Sequence, residues 1–260
     1  MSETNAEGPI RTESLEGGAI LKAVLAKPKG NILDKAMVES LGDTIATAAK
    51  DPFVKAVVIE GEGAHFSFGA SVEEHLPEQV ESMLKGFHGL FRTMLDSALP
   101  TLAVVRGRCL GGGLEVASFC HRVFGSPDAA LGQPEIVLGV FAPVASVFLA
   151  ERVGRGNAED LCLSGRVVGA EEALKMGLLD EVAEDPAQAA LAYAKEHLLP
   201  RSAKSLRFAV KAVRYGLQER FTAEIAAVER LYLQELMATR DACEGLKSFI
   251  EKRKPVWRNQ

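Results

Sequence analysis

Two glutamates in apolar stretches are the residues best suited to acid–base chemistry. Glu115 follows a run of glycines in LGGGLEVASF, and Glu135 lies further along in LGQPEIVLGV. Burial disfavours a charged carboxyl group and raises its pKa, which suits a general acid or base near neutral pH. The alternative for Glu115 is a glutamate favoured only by the dipole of the helix it begins. The pair predicts proton transfer, but the sequence does not show whether the two face each other.

The run Gly111-Gly112-Gly113 follows a predicted strand and opens a predicted helix. Glycines let backbone N–H groups at a helix N-terminus approach a ligand, so the run suits a phosphate or a developing oxyanion. Neither a Walker loop nor the G-x-G-x-x-G dinucleotide fingerprint is present. Tight packing of a helix on a strand explains the glycines as well, and both interpretations stay open.

The loop HFSFGAS at 65–71 is a second candidate source of a free backbone N–H, because the chain turns there toward a helix. His65 and His75 are candidate catalytic residues, although no Ser–His–Asp arrangement anchors either of them. His88, His121 and His197 are predicted to be structural or solvated, and the phenylalanines of the loop to be core residues.

The elements that must position these residues alternate between strands and helices up to about residue 140. Strands are predicted at 19–26, 54–59, 101–105, 123–125 and 130–132. A helix capped by Asp34 is predicted to bury Met37, Val38, Leu41, Ile45 and Ala48, which recur at helical spacing. This alternation predicts an α/β fold rather than an all-α bundle.

The remainder of the chain reads as amphipathic helices. They are predicted at 145–153, 158–163, 170–176, 186–198, 202–216, 220–238 and 240–253. Phe221, Ile225, Val228 and Tyr232 form an apolar stripe, which Leu231 and Leu236 widen. Such a stripe indicates either contact between subunits or packing on the chain's own core.

Composition narrows the class of protein. The 260 residues carry 30 Lys and Arg against 35 Asp and Glu, and a net charge of −5 argues against nucleic-acid binding. Absence of a long apolar run predicts no membrane span, and the polar start MSETNAEGP predicts no secretory signal. We expect a cytoplasmic protein with no metal site. Its cysteines are expected to be reduced and mostly buried; they are Cys109, Cys120, Cys162 and Cys243.

These motifs together resemble the enoyl-CoA hydratase/isomerase, or crotonase, superfamily. The matching stretches are HFSFGAS at 65–71, RGRCLGGGLEVASFCHRVF at 106–124, ALGQPEIVLGV at 130–140 and EGLKSFIEKRKPVW at 244–257. The resemblance implies a spiral core of ββα turns over residues 1–200, and the polar residues 1–8 are predicted to be a disordered tail. It also implies a helical region over 201–260 that builds homotrimers, often paired into hexamers.

The resemblance further implies an acyl-CoA thioester substrate, with coenzyme A as part of that substrate and no separate cofactor. Matching the motifs puts the oxyanion hole at the backbone N–H groups of Ala70 and Gly112. Glu115 and Glu135 match the hydratase pair that activates one water. The residues implied to contact CoA are Phe68, Lys29, Phe249 and Lys252.

The chain departs from the family pattern beside the implied acyl pocket. Ser71 replaces a common Asp, and VFAPVASVFLAERVG at 140–154 replaces a glycine-rich stretch. Phe141, Val144 and Val147 are therefore predicted to shape the pocket, for a ring rather than a chain, and Phe148 is a further candidate. Pocket shape discriminates by about 1–3 kcal/mol for each methylene-sized misfit.

Two short stretches, SVEEHLP at 71–77 and GVFAPVAS at 139–146, resemble family members that hydrate a cyclic dienoyl-CoA in anaerobic benzoyl-CoA degradation. This resemblance implies vinylogous hydration. The alternatives are a hydratase for linear or branched enoyl-CoA, an isomerase or ring-opening hydrolase of the same fold, and a non-enzymatic or RNA-binding relative. The acidic balance and both glutamates argue against the last.

Overall fold

The computed structural model describes residues 4–5 and 8–260. The strands are β1 Thr4–Asn5, β2 Ile10–Leu15, β3 Ile20–Leu25, β4 Ala56–Gly61, β5 Thr101–Val105, β6 Arg108–Leu110, β7 Arg122–Gly125, β8 Ala130–Gly132, β9 Val167–Gly169 and β10 Glu181–Val182. One sheet has the order β1-β2-β3-β4-β5-β7-β10 and a smaller one the order β6-β8-β9. From β3 to β10 the large sheet is parallel, and β1, β2 and β3 pair antiparallel.

The helices cover this sheet and continue beyond it. They are α1 Lys35–Lys50, α2 Val80–Ser97, α3 Gly112–Phe119, α4 Pro143–Val153, α5 Arg155–Ser164, α6 Ala170–Met176, α7 Pro186–Tyr193, α8 Ala203–Val213, α9 Tyr215–Arg230 and α10 Arg240–Ile250. A 3₁₀ turn, Pro134–Leu138, precedes α4. In the described part of the chain, no helix is long and apolar enough to cross a membrane.

Helix α1 begins where the sequence predicts. The Asp34 side chain accepts a hydrogen bond from the Met37 backbone nitrogen at 3.1 Å, which satisfies one free donor of the first turn. All of the predicted apolar positions are buried; they are Met37, Val38, Leu41, Ile45 and Ala48. The cap and the stripe together fix both the start of the helix and the face that it packs on the sheet.

The central strands are mostly apolar because both faces of the sheet are covered. Val57 and Ile59 of β4 face one core, which α1, α2 and α3 complete. Val58 of the same strand faces a second core with Leu102 and Val104 of β5, under α7. Burial on both faces is what parallel strands between helices require. The predicted α/β layering is confirmed.

The apolar stripe of α9 packs on the chain's own core. Phe221 and Ile225 are fully buried, and the Phe221 ring lies 5.7 Å from Phe119 and 6.2 Å from Phe91. Tyr232 is fully buried too. Of the two interpretations of this stripe, packing within one subunit is therefore the one that the structure shows.

Several predicted boundaries are wrong. Part of the predicted tail forms β1, since Thr4 and Asn5 pair with Glu13 and Thr12, while residues 1–3 and 6–7 lie outside the described residues. Strand β2 was not predicted, because Ile10 is its one fully buried residue and the others are polar or half-exposed. The predicted helix 220–238 joins α9 to a π turn, Leu231–Glu235, and a 3₁₀ turn, Leu236–Ala238.

The last residues fold back along α10 toward the Pro134–Leu138 turn. Asp241 accepts a hydrogen bond from the Arg258 backbone nitrogen at 2.8 Å. Trp257 packs against Gly139 and Gly245, and a Cβ on either glycine would lie within 3.2 Å of its ring. The C-terminal segment thus braces the turn that carries Glu135.

Candidate active site

Glu115 lies in the first turn of α3 and is 2% exposed. Its Oε1 accepts a hydrogen bond from the Ala145 backbone nitrogen at 2.7 Å. Ala145 belongs to the first turn of α4, where N–H groups have no partner within the helix. Burial raises the pKa of Glu115 to about 7, while the backbone hydrogen bonds from Ala145 and Val144 act in the opposite direction. The carboxyl group is therefore held in place and able to exchange a proton near neutral pH.

Glu135 lies on the 3₁₀ turn that Pro134 begins, and it is half-buried. Burial, followed by the nearby negative charge of Glu115, raises the pKa of Glu135 to about 8. The structure thus brings the two glutamates close enough for each charge to act on the other. Two carboxyl groups coupled in this way release their protons in separate steps, so between the two steps one is ionised while the other still holds a proton.

Gly111 allows the Glu135 carboxylate to approach the backbone. A Cβ at this position would lie 2.6 Å from Glu135 Oε1, and the backbone has φ +53 and ψ −129. Gln133 holds the same carboxylate from another side. Its amide is buried, and its hydrogen bonds are satisfied only in one orientation. In that orientation the amide nitrogen donates to Glu135 Oε2 at 3.1 Å and to the Gly111 carbonyl oxygen at 3.2 Å. Gln133 was not predicted as a site residue, because the sequence shows it only as a polar residue beside Pro134.

The backbone nitrogens of Ala70 and Gly112 are close neighbours. A Cβ on Gly112 would lie 3.3 Å from the Ala70 nitrogen, and one on Gly69 would lie 3.4 Å from the Gly112 nitrogen. Within residues 4–5 and 8–260, neither N–H group donates a hydrogen bond to a protein acceptor. Two adjacent unpartnered donors of this kind fit an oxyanion that develops on a bound carbonyl.

A cavity of about 530 Å³ opens beside these groups. Its lining residues are Ile32, Phe68, Gly69, Ala70, Val72, His75, Leu110, Gly111, Pro134, Glu135, Val137, Leu138, Val140, Leu246 and Phe249. Apolar side chains dominate the wall, and the titratable side chains in that set are His75 and Glu135. An apolar cavity with a few convergent polar groups is the usual form of a small-molecule site.

Comparison with known proteins decides the family. The sequence pattern described as enoyl-CoA hydratase/isomerase matches residues 16–260. The chain belongs to the enoyl-CoA hydratase/isomerase family. It is 50% identical over 260 residues to the cyclohexa-1,5-dienecarbonyl-CoA hydratase of Thauera aromatica, with 100% of both chains covered. It is 33% identical over 247 residues to a probable enoyl-CoA hydratase of Rhizobium meliloti, covering 94% of this chain and 96% of that protein.

Solved structures of the family share the fold. An enoyl-CoA hydratase from Mycobacterium avium superposes with a TM-score of 0.84 at 24% identity, covering 97% of each chain. An enoyl-CoA hydratase/isomerase from Pseudoalteromonas atlantica gives 0.82 at 25% identity, covering 96% of this chain and 99% of that one. The predicted crotonase-like fold with a helical C-terminal region is confirmed. The division at residue 200 stays a prediction.

Of the other predicted site residues of this family member, some line the cavity and some do not. Phe68 and Phe249 line the cavity, whereas Lys29 and Lys252 are exposed and outside its lining. Phe141, Val144 and Val147 are also outside that lining. Val144 and Val147 are buried in the main core, and the Phe141 ring lies 5.1 Å from that of Tyr232. The backbone of Val144 faces Glu115 instead. The role of Phe141, Val144 and Val147 in an acyl pocket stays a prediction.

Phe148 and three of the histidines belong to the framework. The Phe148 ring packs 4.9 Å from Phe119 in the core. His121 Nδ1 accepts a hydrogen bond from the Thr101 nitrogen at 3.0 Å, and His88 Nδ1 lies 2.9 Å from Glu229. His65 Nδ1 accepts from the Arg108 nitrogen at 3.1 Å. These contacts orient backbone and helices around the site.

Tyr232 is a second polar residue near the glutamates that was not predicted as a site residue. Its side chain is fully buried, and its hydroxyl has no hydrogen-bond partner among the described residues. Burial, together with the negative charges of Glu135 and Glu115, raises the pKa of this hydroxyl. The phenol therefore stays neutral. In the sequence, Tyr232 recurs at helical spacing after Phe221 and Ile225, and this pattern predicts only a core residue.

We expect Glu115→Gln to be stabilised relative to the parent protein as pH rises. Unfolded, Glu115 ionises near its ordinary pKa of 4.5, whereas in the folded protein its pKa is about 7. Between these values the unfolded state binds fewer protons, so the parent protein loses stability while a glutamine does not. The difference in Tm between variant and parent should grow in the variant's favour from about pH 5 to about pH 8.

Glu244→Gln is the matched control. Hydrogen bonds from Arg253 and the Val256 backbone lower the pKa of Glu244 to about 2. The contribution of Glu244 to the stability of the folded protein is therefore present at any pH well above its ordinary pKa. It stays constant between about pH 5 and about pH 8. A Tm difference for Glu115→Gln that is equally flat would contradict the raised pKa.

Proposed function

We propose that this protein hydrates cyclohexa-1,5-diene-1-carbonyl-CoA to 6-hydroxycyclohex-1-ene-1-carbonyl-CoA, a step in anaerobic benzoyl-CoA degradation. The observation that carries the proposal is 50% identity over the whole chain to the Thauera aromatica hydratase. The coupled glutamates beside an apolar cavity support it, because hydration needs a base and an acid at one place. A generic enoyl-CoA hydratase is the alternative, favoured by the Rhizobium meliloti relative.

The proposed reaction adds one water across the conjugated diene. The thioester carbonyl accepts hydrogen bonds from the Ala70 and Gly112 N–H groups, which stabilise the charge that forms on its oxygen. The ionised member of the Glu115–Glu135 pair takes a proton from water, and the hydroxide adds to the β-carbon of one double bond. The protonated member then gives its proton to the far end of the other double bond, so that the charge returns to its starting value.

The chemistry proposed here consists of proton transfer and carbonyl polarisation, and it includes no resident cofactor or metal. Coenzyme A enters as part of the substrate. Phe68 and Phe249 line the cavity and are proposed to contact it. Lys29 and Lys252 are exposed cations that are proposed to reach its phosphates, since a phosphate attracts an ammonium group at the surface.

Comparison of two substrates on one preparation tests this function. We expect kcat/KM for the cyclic dienoyl-CoA to exceed that for crotonyl-CoA by about a thousandfold, because a few pocket misfits of about 1–3 kcal/mol each accumulate. Mass spectrometry should show the gain of one water by the cyclic thioester. Equal or faster turnover of crotonyl-CoA would refute the cyclic substrate and favour the generic hydratase.

A homotrimer or a dimer of trimers is proposed for the assembly. With the α9 stripe buried, the exposed apolar residues of the C-terminal helices are the candidate contacts. Phe208, Val213 and Tyr215 are 62%, 77% and 65% exposed, around the junction of α8 and α9. Exposed apolar residues that lie close together are typical of an interface.

Light scattering tests this assembly. The parent protein should give a mass of three or six times the chain mass of 27.9 kDa. The double variant Phe208→Asp, Val213→Asp should have a lower mass than the parent protein. Phe53→Asp is the control, since Phe53 is 76% exposed in the turn after α1. A stable monomer of the parent protein at micromolar concentration would contradict the proposal.

A further inference from the structure

His75 is the histidine that lines the cavity, where it shares the wall with Glu135. It ends the short 3₁₀ turn Glu73–His75, which follows Ala70 closely along the chain. Its Nδ1 lies 2.7 Å from the Ser71 carbonyl oxygen. The ring is thus tethered at one nitrogen, and the steps of the proposed hydration do not use it.

The tether fixes which ring nitrogen carries the proton. A carbonyl oxygen only accepts hydrogen bonds, so Nδ1 must be the donor and Nε2 holds a lone pair. Burial lowers the pKa of His75, which favours this neutral form near pH 7. The free nitrogen is therefore a hydrogen-bond acceptor.

Nε2 is also accessible. Among residues 4–5 and 8–260, no protein donor bonds to it, and it is not one of the fully enclosed atoms without a partner. His75 is only partly buried, and it is one of the residues that line the cavity. An acceptor in a largely apolar wall selects for a ligand that brings a donor, because an unpaired hydroxyl would be unfavourable there.

We propose that Nε2 of His75 accepts a hydrogen bond from the hydroxyl group of the bound hydroxyacyl-CoA, so that His75 determines specificity for the oxygenated form of the ligand. This inference rests on the proposed function, because hydration creates that hydroxyl group. Glu135, the other side chain of the wall with acceptor oxygens, is engaged in proton transfer. His75 supplies an acceptor that stays unchanged through the reaction.

A pair of ligands with and without the hydroxyl tests the inference. The first is 6-hydroxycyclohex-1-ene-1-carbonyl-CoA, measured by its KM for dehydration. The second is cyclohexane-1-carbonyl-CoA, measured by its Ki as a competitive inhibitor. In His75→Leu, we expect the KM to rise about tenfold, the size of one hydrogen bond between neutral groups, and the Ki to stay within about threefold. His75→Gln, which carries an acceptor oxygen on a side chain of similar reach, should restore most of the KM.

Val72→Ala is the control, since it alters an apolar part of the same wall and should move both constants alike. Equal shifts of KM and Ki in His75→Leu, or no rescue by His75→Gln, would overturn the inference. If the parent protein does not dehydrate the cyclic ligand, the proposed substrate fails separately. The pair 3-hydroxybutyryl-CoA and butyryl-CoA then decides the role of His75 in the same way.

Discussion

Glu115→Gln and Glu135→Gln are each expected to lower kcat for hydration by about 10²–10⁴-fold, while circular dichroism and assembly stay those of the parent protein. Glutamine keeps the size of the side chain, and at position 115 it can still accept the hydrogen bond from the Ala145 nitrogen. It cannot take up or release a proton. The raised pKa values, about 7 for Glu115 and about 8 for Glu135, are the property that each variant removes. Steady-state kinetics on the cyclic dienoyl-CoA measures the loss.

The double variant should be little worse than the poorer single variant. The two carboxyl groups act on one water, and residues that act as a unit give losses that do not add. Glu60→Gln is the matched control, because Glu60 is also shielded, with its side chain 14% exposed and paired to Lys22 and Arg106. Activity within a few-fold of the parent in either single variant would remove that glutamate from the mechanism.

Gly111→Ala is expected to lower kcat by about a hundredfold or more, with a smaller loss of stability. The new Cβ would lie 2.6 Å from Glu135 Oε1, so the carboxylate must move away from the position that Gln133 and the glycine backbone give it. A misplacement of about 1 Å in a catalytic group can reduce rate by about 10²-fold. Kinetics and thermal unfolding of the same preparation separate the two effects.

Gly154→Ala is the matched control for backbone strain. Gly154 likewise precedes a helix, with φ +77 and ψ 155, a conformation that is essentially restricted to glycine. Nothing lies within 4 Å of the Cβ that it would gain. This variant should lose stability while keeping its kcat. If both variants lose activity alike, strain rather than contact with Glu135 explains the effect.

Local patterns predicted much of the frame around the site. Asp34 and the apolar spacing after it specify α1, because a cap and a buried face act within a few turns of chain. The glycine run was assigned both to backbone donors and to tight packing, and the geometry agrees with both. Gly112 presents its nitrogen beside Ala70, and a Cβ on Gly113 would lie 2.7 Å from the side chain of Ser67, which pairs with β6.

What the sequence left open depends on contacts between distant segments. Glu115 and Glu135 were recognised one by one from apolar neighbours, but their electrostatic coupling follows from the approach of Glu135 to Gly111, at the start of α3. Nothing local distinguished Gln133 from a loop residue. Val144 was assigned to the pocket as a side chain, whereas its backbone at the start of α4 faces Glu115. Such roles follow from tertiary position rather than residue type.

Trp257 gives this protein a built-in optical reporter. It is the single tryptophan of the chain, so the indole emission has one origin. The residue is 43% exposed, and its ring touches Gly139, at the end of the turn that carries Glu135. Indole emission responds to the polarity around the ring, and a thioester that reshapes this turn changes that polarity. We expect the binding of such a thioester to be visible in a stopped-flow fluorimeter without a label, even when it is not turned over.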